Sequence, residues 1–296
     1  MSPPNRHPIA VRAAELLGSS PLLVLAGVGV FSIGLVLVLV VLARWMSARG
    51  LGWRKALFRR AARAVGAAPS ARARLSRLVR LEYELVHLGL GLALLAGLVV
   101  FVALAVSVVD DGAVAAFDES LARAVHRSTP PELVRVMLVA TSLGGGEAVL
   151  VVAVVVAVGL LVRRRWHLAI GWITAEAGAG LFNALLKSLY RRARPTLDDP
   201  FTSASGWSFP SGHSMGTIVT AGMLAYVFSR FYPPGWPRFV AVFLATLWTL
   251  VIGFSRVCLG VHYASDVLGG FAAGAVWLVV CVSGLEVALR PNRSAV

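Results

Sequence analysis

Charge is what this sequence has least of. Asp, Glu, Lys and Arg together make up 14% of its 296 residues, against roughly 25% in a soluble domain. With 58% apolar residues, such a chain cannot cover a surface that faces water, which excludes an ordinary soluble globule. Cysteine is nearly absent. Cys258 and Cys281 are the only two, each in or near an apolar run, so a disulfide framework is excluded and both read as small hydrophobes. Lysine is confined to Lys55 and Lys187 among 28 basic residues, and acidic residues number only 14. A net charge of +14 can signal nucleic-acid binding, but 11 of the basic residues fall between Arg44 and Arg80 with no acidic residue among them. A basic block flanked by apolar stretches is the mark of a cytoplasmic loop on an anionic leaflet. No nucleic-acid partner is expected.

What the chain has instead is long apolar runs. Seven can be marked: Pro21–Ala43, Leu85–Val109, Leu143–Val162, Trp166–Leu186, Ser214–Ser229, Phe239–Phe254 and Val267–Leu289. A helical crossing takes about 20 residues, so the two 16-residue runs are short unless their flanks extend them. The expected fold is all-α, a polytopic transmembrane helix bundle with a six-span core and one extra N-terminal span. The run at 21–43 is too long for a signal peptide, and its positive charge follows rather than precedes it. Loops 44–80, 163–165, 230–238 and 290–293 hold 18 of the 28 basic residues, which places them in the cytoplasm and gives seven spans, N-terminus out and C-terminus in. Residues 1–84 then form an N-terminal span with a basic cytoplasmic segment, and 85–296 form the core. Within that segment Trp53 and Leu57 alternate with Arg54, Lys55, Arg59, Arg60 and Arg63, as in a basic helix lying on the inner leaflet or in a solvated linker. The outer stretch Asp110–Ser142 reads as one or two short surface helices without chemistry of its own.

Three polar clusters fall on the outer side in this topology. In the first, Lys187 and Arg194 are seven residues apart, sharing a face if the helix continues, and Pro195 is expected to end it. Two cations there also suit interfacial anchors. In the second, Pro210-Ser211-Gly212-His213 opens a span, where free backbone N–H groups and a serine hydroxyl favour an anion and a histidine can move a proton. The same tetrapeptide also makes an ordinary turn and cap. In the third, Ser255-Arg256 precedes His262 and Asp266, spaced i, i+4, so that on a helix the carboxylate can orient the imidazole and leave its other nitrogen free as a nucleophile. A structural His–Asp pair has the same spacing. A metal is not expected, because Lys187, Arg194 and Arg256 would repel a cation and attract an anion. Together the clusters suit phosphoryl transfer, in which the protein mainly supplies positioning and charge stabilisation.

These residues resemble the three-part pattern of the type 2 phosphatidic acid phosphatase family: K-x6-R-P, P-S-G-H and S-R-x5-H-x3-D. All eleven specified positions are present, as Lys187, Arg194, Pro195, Pro210 to His213, Ser255, Arg256, His262 and Asp266. The likeness extends from about Leu85 to Leu289. It implies metal-independent hydrolysis of a lipid phosphate through a phosphohistidine, with no cofactor. His262 would be the nucleophile, Asp266 its orienting partner and His213 the general acid. Lys187, Arg194, Ser211, Gly212 and Arg256 would hold the phosphate. The family's membrane members carry the site on the extracytoplasmic side, in agreement with the loop charges. The implied partners are a lipid phosphate and the surrounding membrane lipids, with phosphatidic acid, phosphatidylglycerol phosphate, undecaprenyl diphosphate and lipid A as candidates. A phosphotransferase using the same intermediate and a non-catalytic lipid transporter or scaffold are the alternatives.

Beyond the pattern, Trp207 and Phe209 suit either the lipid interface or packing, and Asp198 and Asp199 read as solvated. Glu176, in mid-span on one helical face with Asn183, Lys187 and Arg194, is expected to face the bundle interior, either as a functional carboxylate or as an interhelical hydrogen-bond acceptor. The Arg, Ala, Val and Gly bias suggests a bacterial inner membrane. Oligomeric state has no signature in the sequence.

Overall fold

A computed structural model of the chain describes residues 8–18, 91–92, 94–109, 112–233 and 235–289. The expected span at 21–43, the basic segment 44–80, the start of the run at Leu85 and the loop 290–293 lie outside the described residues. Among those described, all regular structure is helical: α1 (Pro8–Gly18), α2 (Leu94–Val109), α3 (Ala113–Ser128), α4 (Pro131–Ser142), α5 (Gly146–Val162), α6 (Trp166–Tyr190), α7 (Gly212–Phe231), α8 (Trp236–Cys258) and α9 (Ala264–Ala288).

Four stretches are long and apolar enough to cross a membrane: Pro131–Val162, which takes α4 and α5 together, and α6, α8 and α9. A fifth results if α2 and α3, bent by 84° at their junction, form one broken span. The count of seven is not reached among the described residues. One physical reason is α7, whose polar His213, Ser214, Thr217, Thr220, Ser229 and Arg230 dilute its hydropathy. It tolerates them because α5, α6, α8 and α9 all pack against it. By contrast α5 turns Val151, Val154, Val155 and Val158 outward, each more than half exposed. That is untenable in water over a whole helix and appropriate to lipid.

The two runs that were short in sequence are full-length helices of 20 and 23 residues. Their polar flanks are helical too. Arg238 makes this possible at the start of α8 by donating from Nε to the Tyr232 carbonyl at 2.9 Å and from Nη2 to the Ser229 carbonyl, and Pro237 needs no N–H partner in the first turn. The core lies between α6, α7, α8 and α9 and includes the fully buried Trp172, Met215, Met223, Tyr226 and Ile252. Small residues allow the helices to meet. A Cβ at Gly270 of α9 would stand 2.6 Å from the Ser211 carbonyl oxygen and 2.9 Å from Ser214 Cβ, so glycine lets α9 lie directly against the start of α7. N-terminal helix α1 packs along α3.

The helices alternate in direction. The ends of α6 and α8 and the starts of α7 and α9 therefore share one end of the bundle, and the three polar clusters meet there.

Candidate active site

Helix α6 stops at Tyr190 because Arg191 takes a left-handed conformation, φ 45°, and donates its N–H to the Lys187 carbonyl at 3.0 Å. This closure comes earlier than the expected stop at Pro195. Lys187 and Arg194 therefore do not share a helical face; Arg194 returns on an irregular loop. That loop is tied to the bundle where Ser208 N–H meets the Arg192 carbonyl at 2.8 Å and Ser211 N–H meets the Asp266 carbonyl at 2.9 Å. Phe209 anchors it, fully buried between Phe101 and Tyr190, while Trp207 stays 44% exposed. Of the two roles open to these aromatics, Phe209 takes packing. Asp198 and Asp199 are exposed.

The loop delivers Arg194 to His262. Its guanidinium donates from Nε to the Gly206 carbonyl at 2.9 Å and from Nη2 to the Ser205 carbonyl at 2.9 Å. Nη1 reaches the Val261 carbonyl at 2.7 Å and His262 Nε2 at 3.2 Å. Arginine can only donate, so Nε2 is the nitrogen with the lone pair and the ring proton sits on Nδ1. Nδ1 in turn faces Asp266 Oδ2 at 3.4 Å and Ser208 Oγ at 3.3 Å. The expected His–Asp contact is present, but not one above the other on a helix. His262 lies in the turn before α9, and Asp266 is in the first helical turn, where it accepts the Tyr263 N–H at 2.9 Å. The ring is 2% exposed. Burial, with help from the Arg194 and Arg256 charges and against the opposing pull of Asp266, lowers its pKa to about 4. His262 is thus neutral at neutral pH, as a nucleophile must be.

Lys187 donates to the Trp207 carbonyl and, at 3.4 Å, to the Ser208 carbonyl. It is close enough to Arg194 and Arg256 for mutual repulsion. His213, in the first turn of α7, feels Arg256, His262, Arg194 and Lys187 together. Arg256 is 6% exposed and donates from Nη1 to Thr141 Oγ1 at 2.7 Å, while its Nε is buried without a partner. The predicted residues Lys187, Arg194, His213, Arg256, His262 and Asp266 are therefore brought together. Gly212 begins α7 beside Asn183, leaving too little room for a side chain, since a Cβ would stand 2.9 Å from Asn183 Oδ1. Ser211 is fully buried; its Oγ caps the Ser214 N–H at 3.5 Å, so as placed it shapes the turn that opens α7. Among the described residues, no three or more His, Cys, Asp and Glu side chains gather in metal-binding geometry.

Sequence reading missed a second layer. Arg192, an unspecified position in the first cluster, bonds Asp266 Oδ1 from Nη1 at 2.6 Å and Asp118 Oδ2 from Nη2 at 2.8 Å, and lies 4.3 Å over the Tyr263 ring. Asp118 is 1% exposed and also accepts the Ser265 N–H at 3.1 Å and the Ser265 hydroxyl. Ser208 Oγ donates to Asp266 Oδ2 at 2.5 Å. The stretch 110–142, expected to lack chemistry, thus supplies Asp118 to the His–Asp pair and Thr141 to Arg256. Only the arginine-rich spacer hinted at this; Asp118, far away in sequence, has no local signature.

Glu176 does face the interior, where Thr220 Oγ1 donates to its Oε2 at 2.8 Å. It sits eleven residues before Lys187 on the same helix, roughly 16 Å away, which is the interhelical hydrogen-bond role rather than contact with the cationic cluster.

Fold and site together define an integral membrane helical bundle with a buried His–Asp pair inside a cage of cations. A profile of the PAP2 superfamily matches residues 168–288. Phosphatidylglycerophosphatase B of Bacillus subtilis is 29% identical over 197 residues, covering 66% of this chain and 96% of the relative. The crystal structure of a transmembrane PAP2-type phosphatidylglycerolphosphate phosphatase from Bacillus subtilis superposes with a TM-score of 0.61 at 30% identity, over 68% of this chain and 98% of that one. Lipid A 1-phosphatase of Rhizobium johnstonii is 38% identical over 107 residues, 33% of this chain and 39% of the relative. The chain belongs to the PAP2 superfamily.

Proposed function

We propose that this protein is a membrane lipid-phosphate phosphatase working through a phosphohistidine at His262. The observation that carries the reading is the orientation of His262: Nδ1 faces a buried carboxylate while Nε2, with its lone pair, faces Arg194 among three cations. A phosphomonoester drawn into the cage by Lys187, Arg194 and Arg256 receives the Nε2 lone pair at phosphorus. The Nε2–P bond forms as the P–O bond to the lipid breaks, and His213, protonated once the bound phosphate's negative charge offsets the surrounding cations, gives that proton to the leaving alkoxide. Water then attacks phosphorus with His213 taking its proton, the Nε2–P bond breaks, and inorganic phosphate leaves. Preorganised positive charge stabilises both displacements, so no divalent metal is required.

Phosphatidylglycerol phosphate is the substrate favoured first, because the match to the phosphatidylglycerophosphatase covers nearly that protein's whole length. The catalytic end faces the extracytoplasmic side in this reading, since Arg163, Arg164, Arg165 and Arg238 lie at the opposite end of the helices and mark the cytoplasm. The membrane is then a bacterial inner membrane.

The test is phosphate release from a panel of lipid phosphates by detergent-solubilised protein in excess EDTA, with His262→Ala beside it. Release by the wild type alone, with acid-labile phosphate trapped on the protein, supports the reading. Activity abolished by EDTA refutes the metal-free mechanism. Folded wild type that transfers phosphate only when a second lipid is supplied is a phosphotransferase.

A further inference from the structure

The end of the bundle opposite His262 carries a feature that hydrolysis does not use. A groove of about 650 Å³ runs between the end of α5, the second half of α7 and the first half of α8, with Leu160, Leu224, Phe228, Leu244 and Trp248 among its walls. Between Ala221 and Tyr232, both on its lining, it follows α7 for roughly 16 Å at 1.5 Å per residue. The volume lies within the range of sites that hold a small molecule. Among the described residues, Arg163 is its one charged lining residue, and no carboxylate lines it.

At the mouth, Arg163, Arg164 and Arg165 stand in succession and all are exposed. The Arg163 and Arg165 guanidinium groups lie 5.7 Å and 5.9 Å from the centre of the Phe231 ring. Two cations are thereby brought over one aromatic residue of the groove, at the level where an apolar helix meets its polar loop. An apolar furrow alone would not distinguish one lipid from another, because acyl chains are as apolar as leucine. A furrow ending in paired arginines distinguishes by headgroup charge.

We propose that this groove binds an anionic phospholipid, with an acyl chain between α5, α7 and α8 and the headgroup phosphate on Arg163 and Arg165. The site is separate from the catalytic one and serves the opposite leaflet. It does not depend on the protein being a phosphatase.

The test uses full-length protein in detergent, titrated with phosphatidylglycerol or phosphatidylcholine of matched acyl chains and read by native mass spectrometry. The wild type should retain one phosphatidylglycerol in preference to phosphatidylcholine. In Arg163→Gln/Arg165→Gln, changed only at exposed positions, that preference should fall about tenfold or more. Ala245→Phe, which fills the groove but keeps the arginines, should lose both lipids. Lys187→Ala, at the catalytic end, should keep the preference.

Equal retention by wild type and the double arginine variant overturns the proposal. So does a preference lost in Lys187→Ala instead, which would place the lipid at the catalytic end. A wild type that retains no lipid overturns it as well, as expected if the apolar stretch 21–43 occupies the groove. Ala245→Phe converting a dimer to a monomer while leaving lipid retention unchanged would show the groove covered by a second copy, and would also overturn it.

Discussion

Asp118 of α3 and Arg192 of the loop after α6 form a buried ion pair, with Nη2 2.8 Å from Oδ2 and side chains 1% and 10% exposed respectively. The other guanidinium nitrogen, Nη1, holds Asp266 at 2.6 Å. One arginine thus fixes the carboxylate that orients His262, and a distant aspartate fixes that arginine. Asp118→Asn keeps the shape and the Ser265 contacts but removes the charge that aligns Arg192. The expected outcome is a fall in kcat, on the order of 10²-fold as for small misplacements of catalytic groups, with KM little changed. Arg192→Lys should not rescue, because an ammonium cannot span two carboxylates with a planar fork. Steady-state kinetics on folded variants checks both. A rise in KM alone would show that the pair shapes phosphate binding instead.

Removing Asp118 altogether is a harsher change. Asp118→Ala leaves Arg192 Nη2 without its carboxylate while Asp266 still holds Nη1, so the cost stays below the about 3–5 kcal/mol of a fully uncompensated buried charge. The thermal midpoint in detergent should fall clearly further than for Asp118→Asn.

His262 links pH to stability. Its pKa falls from the ordinary 6.5 to about 4 on folding, so below pH 6.5 the unfolded chain binds a proton that the folded chain refuses. The contribution is fully present above pH 6.5 and is lost as pH falls towards 4. Between pH 7.5 and 5 the wild type should lose more thermal stability than His262→Gln. Equal losses would mean that His262 is not held neutral.

Gly270 lets α9 touch the Ser211 turn. Gly270→Ala places a methyl against the Ser211 carbonyl oxygen, and overpacking of this kind costs about 1–3 kcal/mol. A lowered thermal midpoint with a raised KM for the lipid phosphate is expected, since the turn that presents the α7 N–H groups must shift.

Glu176→Gln retains an acceptor for Thr220 at a position remote from the cage. Turnover within about twofold of wild type is expected. A large loss in folded protein would give this carboxylate a catalytic role.

Much of the site was legible because its chemistry sits in local runs. Pro210 to His213 carry the turn and cap that open α7 in four consecutive residues, and the i, i+4 spacing of His262 and Asp266 keeps the two in reach even though the helix begins only at Ala264. The same local reading misjudged Lys187 and Arg194. A left-handed Arg191 ends the helix with no glycine or proline to announce it. It also made α7 and α8 too short, because hydropathy ignores polar residues that become helical once their hydrogen bonds are met.

By itself the sequence determined that the chain is helical and lives in a membrane, and it singled out seven polar side chains as candidates for phosphate chemistry. Composition and short-range spacing carry that information, because burying backbone in lipid leaves few options and a motif needs only its neighbours. Only the tertiary structure decided that Asp118 and Thr141 belong to the site, that Ser208 sits beside the His–Asp pair, and that Glu176 does not reach the cage. Those are meetings between residues up to about 150 positions apart. They depend on how helices stack, and no local pattern records which side chain will find a given partner after packing.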